Sequence, residues 1–188
     1  LPGIQPAPWH TDTCIGNWFY DVHSPYKSPE QIIEMLVDII SKNGVMLLNI
    51  LQRPDGTIEE EATFILKELA KWFEICAEAV YETRPFRVFG EGDTFVTING
   101  FTQNKTNWHP SDYRVVEKVN TVYAYMMAAP ESRVAVIKTF TPEEKVASVR
   151  LLGHGPVEFT QEHGVLIVKL PETLPTGYTN CLAVELAK

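Results

Sequence analysis

"SPEQIIEMLVDIISKNGVMLLNI", residues 28–50, decides the fold. Ser28 can cap a helix and Pro29 suits its first turn. Ile32, Ile33, Leu36, Val37 and Ile40 then recur at helical spacing. Asn43-Gly44 is a C-terminal stop signal. "VMLLNI" follows, an apolar run broken only by Asn49, as in a strand of a parallel sheet buried on both faces. Downstream, "QRPDGTI" reads as a turn. A second helix is expected over about 58–80, with Phe64, Ile65, Leu69, Trp72, Phe73 and Cys76 at helical spacing. Upstream, residues 1–27 read as loop. The stretch "APWHTDTCIGNWFYDVHSPYKS", residues 7–28, is dense in aromatics and histidine, the composition of a loop held against a ligand.

A parallel strand needs a neighbour reached by a crossover, so a lone strand with two helices reads as the tail of a larger sheet or barrel. Ile33, Leu36, Val37, Leu47, Leu48, Phe64 and Leu69 are its expected core. An exposed apolar patch, and self-association through it, are expected where further strands would pack.

The texture changes after Arg84-Pro85-Phe86. "TFVTI", "VYAYMMA", "VAVIKTF", "SVRLLG", "VEFTQ", "GVLIVKLP" and "CLAVELA" are short runs separated by turn signals, the pattern of an antiparallel β-sandwich. The boundary is placed in "FGEGD", residues 89–93. This gives an α/β piece over 1–90 and an all-β piece over 94–188, the latter expected to fold alone.

Composition excludes several classes. With 188 residues, 45% hydrophobic and 21% charged, the chain is ordinary globular material. A formal net charge of −8 argues against a nucleic-acid partner. No apolar run approaches the roughly 20 residues of a membrane span. Leu1-Pro2-Gly3 is neither a start methionine nor a signal peptide, so the chain is expected to be part of something longer. Cys14, Cys76 and Cys181 have no metal-ligand spacing and read as unpaired, buried thiols; no metal site is expected. Glu59, Glu60 and Glu61 fall in the first turn of a helix, where acids complement the macrodipole. His109, His154 and His163 read as surface residues of turns. Asn104-Lys105-Thr106 matches a glycosylation sequon.

"PWHTDTCIGNWFY", "YKSPEQIIEMLVDIISKNGVMLLNI" and "QRPDGTIEEEATFILKELAKWFEICAEAVYETRPF" together resemble the C-terminal half of the catalytic barrel of α-L-fucosidases of glycoside hydrolase family 29. "TVYAYMM", "VASVRLLGHGPVEFTQEHGVLIVKLP" and "CLAVELA" resemble the β-sandwich that follows it. The resemblance implies the C-terminal part of a (β/α) barrel, with its active site at the C-terminal strand ends, followed by an antiparallel sandwich. It implies retaining hydrolysis by two carboxyl groups, without a cofactor. The nucleophilic aspartate is implied on a strand preceding Leu1, so no catalytic residue is carried over. Many relatives have a glutamate after the tryptophan matching Trp9. Here His10 stands there, and the acid/base is expected from an upstream loop. A fucosylated glycan and the N-terminal half of the barrel are the implied partners, and a secreted or periplasmic parent the implied setting.

Trp9, His10, Trp18 and Asn49 are the expected substrate contacts. Each has a plainer reading: Trp9 and Trp18 as loop anchors, His10 as a structural histidine, Asn49 as a cap for loop backbone. Asp12 reads as a loop brace. The alternative to an enzyme portion is a carbohydrate-binding sandwich carrying a barrel remnant. Its support is thin, because the sandwich offers one tryptophan, Trp108, beside His109 and Pro110.

Overall fold

The computed structural model describes residues 1–96, 98–99, 102–103 and 105–187, so Asn104 of the sequon lies outside the described residues. Strand β1 (Trp9–Cys14) leads through a loop to helix α1 (Pro29–Ser41), strand β2 (Gly44–Asn49) and helix α2 (Glu60–Cys76). Ser28 caps α1 as its sequence requires, its hydroxyl accepting from the Gln31 N–H at 3.2 Å. The helix stops where Asn43 turns left-handed, at φ +69°. Gly44 serves packing instead: a Cβ there would lie 2.6 Å from the Trp9 ring and 2.7 Å from Ile39.

β1 is a correction. The stretch read as loop pairs in parallel with β2, Trp9 opposite Gly44 through Cys14 opposite Asn49. Its alternation was hidden by polar side chains at His10, Thr11, Asp12 and Thr13. α2 is also shorter than expected, giving way after Cys76 to a 3₁₀ turn at Ala77–Ala79.

The remaining strands are β3 (Arg84–Glu91), β4 (Ile98–Asn99), β5 (Thr102–Gln103), β6 (Tyr113–Lys118), β7 (Thr121–Met126), β8 (Val134–Ile137), β9 (Val146–Leu151), β10 (Gly155–Pro156), β11 (Phe159–Glu162), β12 (Val165–Lys169) and β13 (Asn180–Leu186). Six of them form an antiparallel sheet in the order β10-β9-β13-β7-β6-β3, and three form a second sheet, β11-β12-β8. β3 covers residues read as the end of the first piece, yet it pairs with β6 as an edge strand of the large sheet. Just beyond it, Gly92 sits at φ +106°, where a Cβ would run into the Asp112 carboxylate.

The large sheet is the middle of three layers. One face meets the small sheet through Val115, Val122, Ala124, Met126, Leu182 and Val184. The other face carries Val116, Tyr123, Tyr125, Cys181 and Ala183 against α1 and α2. β7 and β13 are buried on both faces, which is why their sequences are apolar almost throughout. The sandwich thus covers the apolar faces of both helices. Trp72 of α2, 1% exposed, donates its indole N–H to the Thr179 carbonyl at 2.7 Å. Tyr125 donates to the Ala79 carbonyl at 2.6 Å.

Of the expected core, Ile33, Val37 and Leu69 are buried, and Leu36 and Leu48 pack partly buried against the same cluster. Leu47 and Phe64 are exposed, 49% and 56%. Leu47 stands with Val45 on the open side of the strand pair, so β2 is buried on one face and not on both as its apolar run implies. Phe64 falls off the stripe of α2 formed by Ala62, Ile65, Leu69, Trp72 and Cys76.

A buried charge cluster joins the helical layer to the sheet. Asp38 of α1 accepts from Arg114 of β6 at 2.6 Å and from Lys42 at 2.8 Å. The Arg114 guanidinium also lies over the rings of Trp108 and Phe89, 4.8 and 5.1 Å from their centroids. Replacing Asp38 by alanine leaves two buried cations without their carboxylate. Asp38→Ala should cost ~3–5 kcal/mol in denaturant unfolding. A loss below about 1 kcal/mol, the usual worth of a surface pair, would show that the cluster does not hold the layers together.

Candidate functional site

In parallel α/β structures, ligands gather where the strands end at their C-termini. Here those ends are Cys14 of β1 and Asn49 of β2, side by side. The loops that follow, 15–28 and 50–59, are tied together by a short set of bonds. The Ile15 N–H donates to the Asn49 carbonyl at 3.1 Å, and Lys27 closes the first loop onto the Cys14 carbonyl at 2.7 Å. Burial pushes the Lys27 ammonium below its usual pKa.

Glu59, immediately before α2, is the hub. Its two carboxylate oxygens accept from Tyr20 at 2.9 Å and Tyr26 at 2.8 Å, and Arg53 lies 3.5 Å away. These bonds hold the Glu59 carboxylate below the ordinary glutamate pKa. Burial and the bond to Glu59 together push Tyr26 up to about 12. Sequence reasoning assigned Glu59 to the helix macrodipole with Glu60 and Glu61. Its partners lie 33 and 39 residues away, a separation that no local pattern reports.

The four expected substrate contacts separate. Trp18 and Asn49 lie at the C-terminal strand ends. Trp18 is 52% exposed, and Phe19 beside it is 79% exposed. The Asn49 amide donates to the Trp18 carbonyl at 3.1 Å, with Cys14 Sγ 3.7 Å away, so it braces the aromatic loop. Trp9 and His10 begin β1, and at ~3.3 Å per residue they are roughly 13–17 Å from Cys14. The Trp9 indole donates to the Lys42 carbonyl at 2.9 Å and packs on Gly44, an anchor on the helix side. His10 pairs with Asp12 at 2.7 Å on the open face of the strand pair, shared with Val45 and Leu47. Trp9 and His10 thus lie at the opposite end of β1 from Cys14 and Asn49. Asp12, read as a loop brace, lies instead within β1 and pairs there with the exposed His10.

The three cysteines are buried and free. Burial pushes Cys76 up to about 12, which keeps it a thiol.

The family described as alpha-L-fucosidase matches residues 2–78, and the alpha-L-fucosidase C-terminal domain matches residues 92–185. Tissue alpha-L-fucosidase of Mus musculus is 34% identical over 151 residues, 78% of this chain and 29% of that protein. Plasma alpha-L-fucosidase of Homo sapiens is 28% identical over 179 residues, 91% of this chain. This chain spans about a third of the human protein's length, 35%. Among solved structures, Thermotoga maritima alpha-fucosidase in complex with fucose superposes with a TM-score of 0.75 at 23% identity, covering 96% of this chain and 40% of that one. A further alpha-L-fucosidase structure gives a TM-score of 0.77 at 21% identity, covering 98% and 40%.

The hub generates a prediction. Glu59→Gln should loosen loop 15–28, speeding limited proteolysis at Phe19 and Tyr20 about tenfold, and should lower the Tyr26 pKa toward the usual tyrosine range in an ultraviolet titration. The sign follows from linkage: a raised Tyr26 pKa leaves the stabilisation intact at neutral pH and removes it as pH rises above ~10 toward the folded value. An unchanged tyrosine titration in the variant would show that Glu59 does not hold the loop.

Proposed function

Because the chain belongs to the alpha-L-fucosidase family, we propose that it supplies one side of the sugar pocket of a retaining α-L-fucosidase that removes terminal α-L-fucose from glycans. The observation that carries this reading is the pair of parallel strand ends at Cys14 and Asn49, crowned by an exposed Trp18 on a loop braced by Asn49 and Glu59. An indole face exposed at such a position suits the apolar face of a sugar or its leaving group. Retaining hydrolysis needs two carboxyl groups about 5 Å apart across the scissile bond. Among the described residues of these loops, the carboxylates already have partners. Glu59 holds two tyrosines, Asp55 accepts from Thr57, and Asp21 accepts from the His23 N–H. We assign the nucleophile and the acid/base to earlier barrel strands, as the resemblance to the family implies. The open face of β1 and β2, with Val45 58% and Leu47 49% exposed, suits packing against such strands.

Purified chain should show no measurable turnover of an aryl α-L-fucoside. Turnover should appear when a polypeptide supplying the earlier barrel strands is added, and Trp18→Ala should lower kcat/KM of that complex roughly tenfold or more with little change in Tm. Activity of the chain alone that disappears in Asp12→Asn or Asp21→Asn would place the catalytic carboxylates within these residues and overturn the reading.

A further inference from the structure

A cavity of about 520 Å³ opens between α1 and the end of the large sheet, within the size range of small-molecule sites. Three of its polar groups have capacity to spare. Glu34 of α1 is 7% exposed, and burial pushes its carboxyl up to about 7. The Trp108 indole N–H faces that carboxyl and draws its pKa back, but among the described residues it falls short of a hydrogen bond with good geometry. Thr179 is 4% exposed, and its hydroxyl is likewise buried without a partner. Buried polar groups are almost always paired, so two unpaired ones on a single cavity call for a ligand or water.

The chemistry of the three groups narrows the ligand. Trp108 only donates, the Thr179 hydroxyl does both, and Glu34, with its pKa near 7, accepts as the carboxylate and also donates as the acid. An anion would face Glu34 and Glu30. A cation could pair with Glu34 but would face the Trp108 N–H with the wrong sign. Lys105, the cation at the mouth, is already paired with Glu30 at 3.2 Å. Adjacent hydroxyls satisfy all three groups, because each can donate to a carboxylate and accept from an indole. Tyr178, whose hydroxyl is committed to Glu68 at 2.8 Å, adds an aromatic wall. We infer that this cavity is a second saccharide-binding site, with Glu34, Trp108 and Thr179 reading neighbouring hydroxyls of a neutral sugar. It lies on the helix–sheet seam rather than at the strand ends, and it stands independently of the catalytic reading.

The test is an NMR titration of the ¹⁵N-labelled chain with L-fucose, D-galactose and, as a cationic control, tetramethylammonium. The expected result is a saturable movement of the Trp108 indole resonance with one of the sugars. Affinity should fall about tenfold or more in Glu34→Leu and in Thr179→Val, the cost of leaving a buried partner unmade. Should either variant fail to fold, transferred Overhauser contacts from sugar protons to the Trp108 indole in the wild type decide the matter. A Trp108 resonance that stays fixed with both sugars would mean that water alone satisfies the three groups, and would overturn the inference. Movement with tetramethylammonium only would overturn the ligand class. Movement of the Trp18 indole without Trp108 would support a sugar at the strand ends while overturning the second site.

Discussion

One carboxylate, Asp38, holds two buried cations, and the arrangement of the layers depends on it. It has two cationic partners, Lys42 and Arg114, and cannot by itself balance both. The aromatic faces of Phe89 and Trp108 carry the remainder: Lys42 lies over Phe89, and Arg114 lies over both rings. Each member ties down a different part of the chain. Asp38 belongs to α1, Arg114 to β6 and Phe89 to the edge strand β3. The Lys42 carbonyl receives the Trp9 indole and the Gln5 N–H, which locates the start of β1. A buried cluster of this kind adds little stability relative to apolar packing, but it penalises any arrangement that breaks it.

The consequence for function is positional. With α1 and α2 fixed on the large sheet, β1 and β2 are held side by side, and their C-terminal ends present a rigid base for the two loops. The loops then need only local bonds, through Asn49 and Glu59, to hold an exposed aromatic surface in place. The sandwich is in this respect a clamp on the back of the barrel strands. Its side chains at Tyr123, Tyr125, Cys181 and Ala183 fill the space behind the helices.

Much of this was legible in the sequence, and the parts that were not have a common cause. The cap at Ser28, the stop at Asn43, the β2 strand and most of the sandwich strands are set by local chemistry. Such chemistry is readable residue by residue. β1 was not, because an open barrel face puts His10 and Asp12 where a closed core would put apolar side chains. β3 and β6 were missed because Arg84, Arg87, Arg114 and Glu117 interrupt their apolar runs. Trp18 and Asn49 were singled out from their place in a loop and at a strand end, and they lie side by side there. Trp9 and His10 were grouped with them by sequence proximity, and only the strand direction separates them. Glu59 was hidden because its tyrosine partners are distant in sequence. The cover of the helices was not legible because it comes from strands far downstream in the sequence.

The shared core and the Asp38 cluster make helices and sandwich one cooperative unit, which native-state hydrogen exchange measures directly. Amides of α1, α2, β7 and β13 should exchange through a single global opening, with the same free energy and the same denaturant dependence. Exchange of the helical amides through a separate opening, several kcal/mol below that of β7 and β13, would contradict it.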